Sequence, residues 1–284
     1  MSETKISEKT KKALSKKYQK KTDIEHILDA PDTYIGSVEP DEANNWLLNE
    51  DLTMKWSTYL WTAGFYKCFD EGIVNCRDHQ IRLNEKIKKG VKNIIPVKNI
   101  DITIDKNTGV ITMYNDGNGI DIAKHPEYNL WIPEMIFGHL RTGSNYDKSE
   151  KKIVGGKNGF GFKLVLIYSK WGTIETVDHI RKLKYTQRFE NNLDKICKPN
   201  ITKSKVKPYT KVSWLPDYKR FGMEGLTDDM FNLLKKRTLD ISAVTDKTVK
   251  VKFNGENLPA KTFEQYIDLY IGAKSVTKRL PYIR

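Results

Sequence analysis

Cysteine is scarce in this 284-residue chain: Cys68, Cys76 and Cys197 stand far apart, with no C-x-x-C pair. An odd, scattered set excludes a disulfide framework and a cysteine-based zinc site, and fits a reducing, intracellular compartment. The five histidines have no metal-ligand spacing. No apolar run approaches a membrane span, and the N-terminus is polar and lysine-rich rather than signal-like, so no membrane partner is expected. Neither G-x-x-x-x-G-K-[ST] nor a strand followed by G-x-G-x-x-G occurs, which disfavours the P-loop and dinucleotide-fold readings.

Positive charge is plentiful. Lys and Arg number 49 against 36 Asp and Glu, a net +13 that favours a polyanionic partner such as nucleic acid or nucleotide, with a solvated basic surface as the competing reading. The 38% hydrophobic content is that of a globular chain, long enough for one large domain or a domain with a small appendage.

The stretch Gly155-Gly156-Lys157-Asn158-Gly159-Phe160-Gly161-Phe162-Lys163 holds four glycines within seven residues, then a lysine, then an apolar run. Glycine lets backbone approach a ligand closely, and a helix starting near Phe160 would aim free N–H groups into the loop. Lys163 would add a point charge. A flexible loop is the plain alternative.

Residues 1–21 read as a disordered tail or a strap that orders against something else. Ile24, Ile27 and Leu28 predict a short helix ended by Pro31-Asp32, with 33–38 extended and 39–52 a loop. From 62 to 82 the pattern is helical: Phe65, Cys68, Phe69, Gly72, Ile73 and Cys76 form the apolar stripe, and Glu71, Asn75, Asp78 and Arg82 share another face. Residues 84–99 read as a connection. Ile100–Asp105 and Val110–Tyr114 predict a hairpin, followed by the turn Asn115-Asp116-Gly117-Asn118-Gly119-Ile120. Further helices are predicted at 131–140, 160–170, 227–239 and 262–271, and strands near 172–178, 183–190, 209–215 and 248–253. The loops at 141–162 and 198–208 stand between them. The first is long enough to be functional.

Three separated segments invite one explanation. Glu71 and Asn75, one turn apart, can hold a water and a Mg²⁺ ion on one side of a helix. A side chain of the Asn115–Gly119 turn can read a base edge. The glycine loop can cradle phosphates. Together they resemble the ATP site of the GHKL superfamily. The wording of Tyr18–Leu28, Pro31–Val38, Phe69–Asn75, Gly143–Tyr146 and Gly155–Gly161 is similar to the N-terminal ATPase domain of eukaryotic-type, including viral, type IIA DNA topoisomerase II, from about Tyr18 to Tyr270.

That resemblance implies an α/β fold, the GHKL (Bergerat) two-layer sandwich, with a mixed, mostly antiparallel sheet and helices on one face. It implies a tail and strap at 1–22, the ATPase domain at 23–272, and at 273–284 the start of a connection to a transducer domain that this chain lacks. Glu71 would be the general base and Asn75 the Mg²⁺ ligand. Asn115 would face the adenine. Ser144 and Asn145 would contact sugar and phosphates, beside Gly143. Gly156, Lys157, Asn158, Gly159, Phe160, Gly161, Phe162 and Lys163 would form the lid over the triphosphate. ATP would close a homodimer whose gate captures DNA, in the nucleus or at a site of viral DNA replication. Rival readings are a MutL-like or chaperone ATPase, against which the strap and Tyr34–Ser37 speak, a nucleotide-gated DNA clamp without significant hydrolysis, and a basic DNA-binding module with a vestigial pocket.

Several positions depart from the family pattern: Gly72 for a larger aliphatic, Cys76-Arg77 for two small residues, His79 for an asparagine, Gly143 for a serine and Phe162 for an alanine. Whole enzymes of this type are several times longer, so the chain is expected to be a fragment without the DNA-cleaving domain. Without the transducer's lysine it is expected to hydrolyse ATP slowly.

Overall fold

In this computed structural model of the chain, the residues described are 7–18, 20–49, 52–142, 160–273 and 275–277. They open with α1 (Glu8–Lys17), α2 (Asp23–Asp29) and the single turn α3 (Pro31–Tyr34). The hairpin β1 (Asp41–Leu48) and β2 (Met54–Trp61) leads into the long helix α4 (Ala63–Lys88). There follow β3 (Asn99–Ile104), β4 (Ile111–Asp116), α5 (Ile132–Gly138) and α6 (Gly161–Ile167). Then come β5 (Ser169–Val177), β6 (Leu183–Glu190), β7 (Lys195–Ile196), β8 (Asn200–Lys203) and β9 (Tyr209–Pro216). The last elements are α7 (Asp228–Val244), β10 (Lys250–Phe253), β11 (Glu256–Asn257) and α8 (Phe263–Ile271).

Among the described residues one sheet runs β11-β10-β3-β4-β9-β5-β6-β7, with β8 on β6. Only β10 with β3 is parallel; the other pairs are antiparallel. The expected mixed, mostly antiparallel α/β architecture is therefore present. The stripe on α4 is the reason the helices lie where they do. Phe65, Phe69 and Ile73 are at most 1% exposed and share one core with Ile100, Ile102, Ile111 and Met113 of β3 and β4. Each such side chain contributes about 1.5–3 kcal/mol by leaving water. Arg237 of α7 donates from Nε to Asp70 at 2.7 Å, which ties α7 alongside α4.

The N-terminal elements are fixed locally and then anchored. Thr22 and Glu25 form a reciprocal capping box at the start of α2. Buried Tyr168 donates its hydroxyl to Ile27 O at 2.6 Å, joining α2 to the end of α6.

Four expectations are corrected. Residues 39–52, expected as a loop, contain β1; it pairs with β2 in a separate two-stranded sheet, so Asp41, Glu42, Asn44 and Asn45 stay exposed and no alternation marks the strand. Residues 84–88, expected in a connection, complete α4, where Lys86 and Lys88 suit the negative end of the helix dipole. Thr33 and Tyr34, expected as extended, lie in α3, because Pro31 at its first position is preorganised for a helical turn. The loop at 198–208 contains β8, paired to β6. Within the expected tail, Glu8–Lys17 is helical as α1, capped by Ser7.

Candidate active site

Glu71 and Asn75 fall on the side of α4 that meets the start of α6. Lys67, one turn earlier, places Nζ 2.5 Å from Glu71 Oε1. The other carboxylate oxygen faces Gly161. A Cβ on Gly161 would lie 2.9 Å from Glu71 Oε2 and 4.0 Å from Asn75 Nδ2, so a side chain there would push the Glu71 carboxylate aside. Glu71 is 21% exposed and Asn75 is exposed, which leaves both open to a ligand.

The helix face is less uniform than its spacing implies. Asp78 is buried. Arg82 is mostly withdrawn from water, which lowers its pKa, while nearby Asp78 favours its charged form. His79 Nε2 is buried without a hydrogen-bond partner, 3.3 Å from where a Cβ of Gly117 would sit. Burial first, then Arg82 and Lys86, push the His79 pKa down to about 4, so the ring is neutral near pH 7.

The Asn115–Gly119 turn closes the other side. Asn115 is 5% exposed at the end of β4, with Nδ2 donating to Asp116 O at 2.9 Å. The Asp116 carboxylate accepts from Lys98 N, Asn99 N and Asn99 Nδ2, and Asn118 Oδ1 accepts from Ile95 N. Those two side chains hold backbone, which separates them from Asn115. Gly119 has φ +72°, and a Cβ there would lie 2.0 Å from Val177 O, so only glycine brings the turn this close to β5.

Thr210 is the register partner of Asn115, and its hydroxyl lies 3.1 Å from that of Thr176, which accepts from Ile120 N. Sequence reasoning missed both threonines. A threonine in a strand carries no signal of its own; the pairing of β4 with β9 is what brings Thr210 beside Asn115.

Gly143, Ser144, Asn145, Gly156, Lys157, Asn158 and Gly159 lie outside the described residues. Phe160 is partly buried, its ring 6.1 Å from Tyr34. Phe162 points into the core, 8% exposed, edge-on to Phe137 and to Trp214 with ring centroids 5.4 Å away in each case. Lys163 is 3% exposed, donates to Thr142 O, and has its pKa pushed down to about 8 by burial.

Of the expected site residues, then, Glu71, Asn75 and Gly161 meet at one point. Asn115 borders the opposite turn, and Lys163 lies beside Thr142. Among the described residues no group of three or more His, Cys, Asp or Glu could hold a metal ion. Mg²⁺ needs no such cage: it keeps several waters and takes one or two protein oxygens together with substrate phosphates. An exposed amide oxygen on Asn75, beside a carboxylate and a bare backbone, fits that requirement. Among the described residues no helix is long and apolar enough to cross a membrane.

No family model matches the chain. Among curated proteins it is 45% identical over 275 residues to DNA topoisomerase 2 of Acanthamoeba polyphaga mimivirus, covering 95% of this chain and 21% of that one. It is 41% identical over 267 residues to DNA topoisomerase 2 of Saccharomyces cerevisiae, covering 93% and 18%. The chain thus spans about a fifth of the length of the curated relatives it matches. Among solved structures it is similar to the ATPase region of Saccharomyces cerevisiae topoisomerase II bound to ICRF-187 (dexrazoxane): TM-score 0.84, 41% identity, 90% of this chain and 65% of that one. The ATPase and transducer domains of DNA topoisomerase II from Balamuthia mandrillaris give a TM-score of 0.82 at 38% identity, covering 90% and 63%. The ATPase domain of Thermus thermophilus gyrase B, 15% identical with a TM-score of 0.54 over 84% of this chain and 51% of that one, shares the fold alone.

Proposed function

We infer that this chain, homologous over 92–95% of its length to the ATPase region of the eukaryotic and mimivirus DNA topoisomerases 2, binds ATP between α4, the Asn115–Gly119 turn and the start of α6, and hydrolyses it. The observation that carries this reading is the approach of the Gly161 backbone to Glu71 Oε2 and Asn75 at one point on α4.

Glu71 is the general base. Its Oε1 is held by Lys67, and Oε2 is left to orient and deprotonate a water aimed at the γ-phosphate. Asn75 would hold Mg²⁺ through its amide oxygen, and the ion would supply charge stabilisation for phosphoryl transfer. Asn115 faces the adenine. Ser144 and Asn145, beside Gly143, contact sugar and phosphates. The backbone from Gly156 through Lys157, Asn158, Gly159 and Phe160 to Gly161 wraps the triphosphate, and Lys163 supplies positive charge to it. In a longer protein, ATP binding by two copies would close a gate around a DNA segment for strand passage. Such a protein would act in the nucleus or where viral DNA is replicated.

A second reading, a nucleotide-gated DNA clamp without significant hydrolysis, draws support from the Lys67–Glu71 ion pair, which engages half of the base's carboxylate. Glu71→Ala separates the two. With Glu71 as base, turnover falls by about 10²–10⁴-fold while a non-hydrolysable ATP analogue still binds in calorimetry with Mg²⁺. Equal turnover in wild type and variant would remove Glu71 from the chemistry.

A further inference from the structure

We propose that Phe162 is a positioning residue for hydrolysis: its ring, seated against the bare surface of α4 at Gly72, sets the start of α6 at the distance from Glu71 that the reaction needs. This rests on Glu71 acting as the base. The two helices meet through two neighbouring pairs. Glu71 and Gly72 are consecutive on α4, and Gly161 and Phe162 are consecutive on α6. In one pair the bare Gly161 backbone comes up to Glu71 Oε2; in the other the Phe162 ring comes up to bare Gly72. A Cβ on Gly72 would lie 2.6 Å from Met113 Sδ, 3.1 Å from Met113 Cε and 3.4 Å from Phe162 Cε2, so the thioether fills the space a larger residue would take and the ring lies in ordinary contact beside it.

Phe162 cannot drift from this seat. Phe137 of α5 and Trp214 of β9 clamp its ring edge-on, at 86° and 88°, and 92% of its surface is withdrawn from solvent (8% exposed). The position therefore depends on Phe162 bulk from one helix and Gly72 emptiness from the other. The contact is made one residue away from Glu71 on α4 and one residue away from Gly161 on α6. Tightly packed interiors transmit a change in spacing rather than absorbing it.

The test uses the whole 284-residue chain in single-turnover ATP cleavage at saturating ATP, with analogue affinity measured alongside. Phe162→Ala is expected to slow cleavage about tenfold or more, because small misplacements of a base are costly, while analogue affinity stays within about twofold. Phe162→Leu, which keeps most of the bulk, is expected to stay close to wild type. Should Phe162→Ala fail to fold by circular dichroism, Phe162→Val is read in its place. Wild-type cleavage in the variant that folds, or a loss of analogue affinity that matches the loss of rate, would overturn the proposal. Glu71→Ala is run in parallel. If it cleaves like wild type, the base assignment is what has failed; if it is inactive while Phe162→Ala is normal, only the positioning role falls.

Discussion

With Lys163 at the triphosphate, as proposed above, one side chain would tie stability to ligand binding with opposite signs. Burial holds its pKa at about 8, below the 10.5 of a free lysine. Between those two values the unfolded chain binds more protons than the folded one, so this residue makes stability rise with pH from about 8 towards 10.5. Phosphate binding asks for the reverse, since it favours the protonated ammonium. Affinity for a non-hydrolysable ATP analogue is expected to fall about tenfold from pH 7 to pH 9, as the protonated fraction drops through the folded pKa. Lys163→Met should bind more weakly and show no such slope in calorimetry. An unchanged slope would take Lys163 out of the phosphate site. At this scale the sequence was legible where geometry is local in the chain. Glu71 and Asn75 share a face because helical period dictates it, and glycine at 161 marks a close backbone approach. The seat of Phe162 was not legible, because the atoms that explain it belong to Gly72, Met113, Phe137 and Trp214, which meet only in the folded core.

Among the elements, Glu175 holds three strands. It lies on β5, and its carboxylate takes Lys184 of β6 at 2.8 Å, Lys211 of β9 at 3.0 Å and the Tyr209 hydroxyl at 2.7 Å. Burial would raise its pKa, yet the hydrogen bonds from Lys184, Tyr209 and Lys211 outweigh it and bring the value to about 2. The folded pKa is depressed, so the stabilisation is fully present above the unfolded pKa near 4.5 and is lost as pH falls towards 2. With the carboxylate 16% exposed, the contribution is on the order of 1–2 kcal/mol. Glu175→Gln should lower stability at pH 7 by that amount and leave a shallower acid limb in urea unfolding; parallel limbs would show that the cluster holds nothing. Elements were legible in proportion to their periodicity. The stripe on α4 and the β3–β4 hairpin announced themselves. β1 did not, since a strand of an isolated hairpin with an exposed polar start carries no alternation. The last turn of α4 is lysine-rich and solvated, so it looks like a linker until the packing of Leu83 beneath it is seen.

For the molecule as a whole, the net charge of +13 suits a polyanionic partner. Tyr18, at the end of α1, is 68% exposed. With Mg²⁺ and a non-hydrolysable ATP analogue, sedimentation velocity is expected to move the chain from monomer to dimer. A boundary that stays monomeric at saturating analogue would rule out ATP-driven dimerisation of this chain. The order of strands also governs how the sheet is made. The β3–β4 hairpin lies inside the sheet, but the strands that flank it, β9 and β10, come from far later in the chain. Asn254 bonds back to Ile104 across 150 residues. At about 5–20 residues per second of synthesis, that gap lasts roughly 10–30 s. The β4 edge is covered once β9 is made, while the β3 edge stays open through the whole interval, so the nascent protein is most prone to edge-to-edge association while its own C-terminal half is still on the ribosome.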